Sequence, residues 1–250
     1  MRNSIQYAAG LLLFGAATAC AQIKTPLSEI PQPPQPRSQV NPLTKDDLQW
    51  LWPYTRPTPL GRAADLRLDE RFQSLVTREL KQPQAMWGGS AEHRPALATI
   101  VPLFVSRYGT VTATDNRYVS VDGCVRDLCS SAGLLWMDLG MPGARTKPLM
   151  VFAATTWIAE GHSANEPGAD YELWIFPNRT IDPNALPVAL TTSISDWNAR
   201  LAASHRLVPH VKQALLVEPD GSPHTLNADL AGANTIAPQI DTVTPQPEGN

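Results

Sequence analysis

Two cysteines, Cys124 and Cys129, stand five positions apart between runs that read as strands. Tyr118-Val119-Ser120-Val121 precedes them and Leu134-Leu135-Trp136-Met137 follows. Between the cysteines lie Val125, Arg126, Asp127 and Leu128. A disulfide across so short an interval would make a small rigid loop standing off the edge of a sheet. The spacing is not the Cys-x-x-Cys of a redox pair, whose two-residue gap helps lower the attacking thiol's pKa. A structural bridge is expected, provided that the chain reaches an oxidising compartment.

The N-terminus suggests that it does. Arg2 is followed by an apolar run from Ala8 to Ala17 and by the small-residue stretch Ala17-Thr18-Ala19-Cys20-Ala21. This is the charged, apolar and cleavable layout of a secretory signal peptide, and the run is far shorter than the roughly 20 residues that span a bilayer. Residues 1–21 are expected to direct export, to the periplasm or to an outer-membrane anchor. Two cleavage readings stand. Ordinary signal peptidase would leave Gln22 first, whereas Ala17-Thr18-Ala19-Cys20 resembles a lipobox that would lipidate Cys20, with Ala17 in the usual place of Leu. The chain has three cysteines, so lipidating or removing Cys20 leaves Cys124 and Cys129 to pair without a leftover thiol.

Residues 22–43 carry Pro26, Pro31, Pro33, Pro34, Pro36 and Pro42, a density that excludes helix and central strand and implies an extended tether. Residues 229–250 are again rich in Pro, Thr and Ala and are expected to be a disordered tail. One α+β domain over 44–228 remains. Thr44, Asp46 and Asp47 mark a helix start, and Leu68, Phe72, Leu75, Val76 and Leu80 predict a helix over 65–81 that ends before Pro83. From Thr99 onward the period shifts. Strands are predicted over 110–114, 118–121, 133–139, 149–156 and 171–176, then a helix from Asp182-Pro183 with Leu190, Ile194, Trp197 and Leu201 on one face. Two short strands, 213–217 and 223–226, flank the turn Pro219-Asp220-Gly221. Short connections predict an α+β sandwich of antiparallel sheet and packing helices.

Net charge is -3 and the isoelectric point about 5.9, which gives no footprint for nucleic acid. No Gly-x-Ser-x-Gly elbow, His-Glu-x-x-His helix or glycine-rich phosphate loop occurs. His93, His162, His205, His210 and His224 show no paired metal-ligand spacing, so neither metal nor cofactor is expected. Gly161-His162-Ser163 reads as a turn.

From Trp87 to Trp157 the chain resembles the Ivy-type inhibitors of vertebrate (C-type) lysozyme. The resemblance is carried in order by Trp87-Gly88-Gly89, Tyr118 to Gly123, the two cysteines with four residues between them, Leu134 to Met137, and Leu149-Met150-Val151-Phe152. It covers less than a third of the chain. It implies an antiparallel sheet with helices on one side, and a stapled loop that inserts into a lysozyme active-site cleft. The family loop reads Cys-Lys-Pro-His-Asp-Cys; here Val125, Arg126, Asp127 and Leu128 fill the interval, with Asp127 in place of the histidine. A lysozyme cleft already holds two carboxyl groups, and a third at about 5 Å is repelled by roughly 3 kcal/mol at an effective dielectric near 20. Arg126, one position earlier, is the cation available.

The expectation is a non-enzymatic, exported binding protein that uses 125–128 against a lysozyme-like hydrolase. The alternative is a structural envelope lipoprotein, tethered through Cys20 and the Pro-rich segment, that binds cell-wall or outer-membrane components.

Overall fold

The computed structural model describes residues 46–234 except 85, 87–93, 142–146, 159–160, 162, 165, 167–168 and 206–209. Residues 1–45, which include the stretches expected to be a signal and a tether, lie outside the described residues, as do Trp87-Gly88-Gly89 and residues 235–250. A 3₁₀-helix, Asp46–Thr55, opens the domain, followed by α1 (Ala63–Leu68), α2 (Glu70–Glu79) and α3 (Leu97–Phe104). The strands β1 (Val111–Thr114), β2 (Tyr118–Val125), β3 (Leu128–Asp138), β4 (Leu149–Trp157) and β5 (Asp170–Pro177) come next. Helix α4 (Val188–His205) leads to β6 (His210–Val217) and β7 (Pro223–Leu226).

Among the described residues seven strands form one sheet in sequence order, and each pairs antiparallel with its neighbour except β5 and β6, which are parallel. The fold is therefore mixed α+β with a mostly antiparallel sheet. The parallel pair corrects the all-antiparallel expectation, and its cause is α4. A helix inserted between two strands carries the chain back to the starting end of the sheet, as in any crossover unit.

Helices do not gather on one face. Val119, Val121, Leu135, Met137, Met150 and Phe152 join α1, α2 and α3 in one apolar cluster. Leu134, Trp136, Val151, Ala153, Leu173 and Ile175 join Leu190, Ile194, Trp197 and Leu201 of α4 in another. Successive strand residues point to opposite faces, so a strand such as Leu134-Leu135-Trp136-Met137, apolar at every position, needs cover on both sides. The three N-terminal helices cover one face and α4 the other.

Three local expectations change as well. The helix over 65–81 is two helices, broken at Asp69, whose side chain accepts the Arg71 N–H and caps α2. Leu68, the last residue of α1, is 78 % exposed rather than core. Residues 97–104, read near a change to strand periodicity, are the helix α3, whose Leu97, Ile100, Val101 and Phe104 are buried. Gly133 lets α3 settle on the sheet: a Cβ there would meet the Phe104 Cβ at 2.7 Å and Phe152 Cε2 at 2.9 Å. Lastly, the domain runs past 228. Ala231 and Ala233 are buried in the α4 cluster, and Asn198 donates to the Ala233 carbonyl.

Candidate functional site

Strands β2 and β3 run in register from Tyr118–Asp138 to Cys124–Ala132, and then shift so that Val125 pairs with Leu128. The shift leaves Cys129, Ser130 and Ser131 bulged beyond the Cys124–Ala132 pair. Arg126 and Asp127 make the two-residue turn. Asp127 has a φ of 60°, left-handed backbone that Asp tolerates better than most side chains because its short polar group bonds locally.

The cysteines are bonded to each other, with Cα atoms 4.8 Å apart, inside the range that a disulfide spans. This agrees with the expectation from their spacing. The hairpin does not stand at the sheet edge, however, because β2 and β3 are the second and third strands of seven. It projects from the end of the sheet, and the strands run further into it than the sequence suggests.

The chain between α3 and β1 braces it. Arg107 and Cys124 exchange both backbone hydrogen bonds at 3.0 Å. Ser106 Oγ donates to the Cys124 carbonyl and accepts the Arg126 N–H, each at 3.1 Å. The approach is close enough that a Cβ on Gly123 would lie 2.8 Å from the Arg107 carbonyl oxygen. One residue further down β2, buried Asp122 accepts the Thr110 N–H at 2.8 Å and the Thr110 hydroxyl at 2.9 Å. Its Oδ2 also receives Arg200 of α4 at 2.6 and 3.1 Å. The base of the hairpin is thus tied to both layers of the domain. Sequence reasoning missed Ser106, Arg107, Thr110 and Arg200, because their partners lie 12 to 78 positions away and no local pattern marks them.

The four residues between the cysteines divide. Val125 is half-buried against the N-terminal helix cluster, so its side chain serves the core more than a partner. Arg126 and Asp127 are exposed and Leu128 is 44 % exposed. Among the described residues none partners the Arg126 guanidinium or the Asp127 carboxylate; only the Arg126 backbone N–H is engaged.

At the other end of the same strand pair, Arg117 donates to both oxygens of Asp138 at 2.6 and 2.7 Å, and Gly140 N–H adds a third bond. Burial pushes the Asp138 carboxyl up, but the Arg117 and Gly140 hydrogen bonds outweigh it and leave its pKa below the ordinary value.

No protein-family model, curated protein or solved structure matches this chain.

Proposed function

We propose that this is an exported, non-enzymatic binding protein whose stapled hairpin enters the active-site cleft of a lysozyme-like, glycan-cleaving hydrolase and blocks it. The observation that carries the reading is Arg126, a cation without a partner among the described residues, held at the tip of a turn closed by a disulfide and braced by Ser106 and Arg107. Such a loop loses little freedom on docking, which removes part of the entropy cost of binding. A glycosidase cleft presents two carboxyl groups, and a guanidinium can bond a carboxylate through two parallel N–H groups. Leu128 would add apolar contact at the rim, and Asp127 would oppose entry. The resemblance of 87–157 to the Ivy-type inhibitors supports the same direction.

The test is titration of the purified protein against C-type lysozymes in a cell-wall lysis assay. Lysis should fall in proportion to added protein until the enzyme is saturated. Full lysis at large excess contradicts the proposal.

A further inference from the structure

The turn between β6 and β7 is well separated from the hairpin. Strand β2 runs towards the hairpin, β3 back, β4 forward and β5 back, and β6 is parallel to β5. The β6–β7 turn therefore sits at the opposite end of the sheet and nearer its other edge. There an open groove of about 570 Å³ is lined by Asp182, Glu218, Asp220, Ser222 and His224, among others.

Glu218 is the unusual member. It is only 6 % exposed, and its Oε2 is buried with no hydrogen-bond partner among the described residues. The position is imposed by the turn, since the Glu218 N–H donates to the Ser222 carbonyl at 2.9 Å and its own carbonyl accepts the Gly221 N–H at 2.8 Å. Asp182 and Asp220 are exposed, and each lends one oxygen to a nearby backbone N–H, of Asn184 and Ser222 respectively. A carboxylate oxygen withdrawn from water without a donor among the described residues is costly, and Asp182 and Asp220 add negative charge to the same groove. A cation supplied from outside relieves it.

The chemistry of that cation can be narrowed. A divalent metal requires several oxygen or nitrogen ligands converging on one point, and among the described residues no three His, Cys, Asp or Glu are placed to hold one. An ammonium group asks for less, because one close carboxylate and one or two further oxygens satisfy its three donors. We propose that this groove binds an alkylammonium group, a lysine side chain or a free amine, with Glu218 as the buried acceptor and Asp182 and Asp220 as the surrounding charge. The inference is independent of the hairpin's role.

The test uses the intact protein with N-acetyl-lysine amide, with cadaverine, and with sodium chloride at equal ionic strength. Each is followed by thermal unfolding and by calorimetric titration. At least one amine should raise the melting temperature beyond the salt control. Tighter binding of the lysine derivative identifies a polypeptide side chain as the natural occupant, and tighter binding of cadaverine a free amine. Glu218→Gln keeps the side-chain shape and removes the charge; it should weaken amine binding by roughly tenfold, as loss of a charged hydrogen bond does. Asp220→Asn keeps the acceptor for the Ser222 N–H and should weaken binding by about threefold, in line with an exposed charge. Amine binding equal in wild type and Glu218→Gln overturns the proposal, as does stabilisation no greater than that from salt.

Discussion

The two ends of the β2–β3 pair are built from similar parts and use them in opposite ways. At one end Arg117 grips Asp138 through two hydrogen bonds, and its guanidinium lies 5.0 Å from the centre of the Tyr118 ring, which stacks on Trp136. At the other, the strands are joined covalently by Cys124 and Cys129, and the nearby arginine, Arg126, reaches no described side chain. An arginine bonded on both arms to a half-buried carboxylate contributes to stability. One left over on a rigid turn contributes nothing to folding that the disulfide and the Ser106 brace do not already supply. The contrast separates an end whose arginine is engaged in folding from an end whose arginine is exposed.

That separation can be broken by mutation. Asp138→Ala should produce the largest loss of stability, roughly 2 to 3 kcal/mol. This is below the 3–5 kcal/mol of a fully buried broken pair because the stranded Arg117 still reaches water. Hydrolase binding at a temperature where the variant is folded should be unchanged. The same pair sets an acid limit. The folded-state pKa of Asp138 lies below its ordinary 3.8, so its contribution is complete above that value and fades as pH falls through the lowered one. Denaturant titrations at descending pH should show that decline in wild type and a shallower one in Asp138→Asn. If both decline alike, Asp138 is not the group that matters.

Replacing both cysteines by serine should cost about 2 kcal/mol of stability, the chain-entropy estimate for so small a loop. Here the comparison predicts the reverse pattern from Asp138: the stability loss is accompanied by weaker binding, since a hairpin no longer stapled must be ordered on docking. A double variant that binds as tightly as wild type would show that Ser106 and Arg107 hold the turn without the disulfide.

Only the stapled end of this contrast was legible in the sequence, since Arg117 and Asp138 lie 21 positions apart and meet across the strand pair. Cysteine spacing, read beside a signal-like N-terminus, pointed to the disulfide, and the helical spacing of Leu190, Ile194, Trp197 and Leu201 placed the buried face of α4. The two-faced sheet was also written there, in the unbroken apolar runs Leu134 to Met137 and Leu149 to Ala154, which need cover on both sides. Helix α3 carries Leu97, Ile100, Val101 and Phe104 at i, i+3, i+4 and i+7, but Pro102 and the β-branched Thr99, Ile100 and Val101 blur that signal. The brace was not legible at all. Ser106 acts by meeting Cys124 and Arg126 across a fold, and Arg200 by meeting Asp122 from the other layer. Glu218 likewise looks like an ordinary turn acid until the burial of its side chain is known.

The central claim is that Arg126 is a recognition group rather than a solvated turn residue. Calorimetric titration of a C-type lysozyme with wild type, Arg126→Ala and Asp127→His tests it most directly. Arg126→Ala should weaken binding by about 2 kcal/mol or more, as truncation of an anchoring arginine does, with stability within about 0.5 kcal/mol of wild type. Asp127→His should strengthen binding by removing a negative charge from a carboxylate-lined cleft, and histidine also tolerates the left-handed backbone at that position. Unchanged affinity in both variants would contradict the claim and leave the hairpin as a stapled turn without a partner.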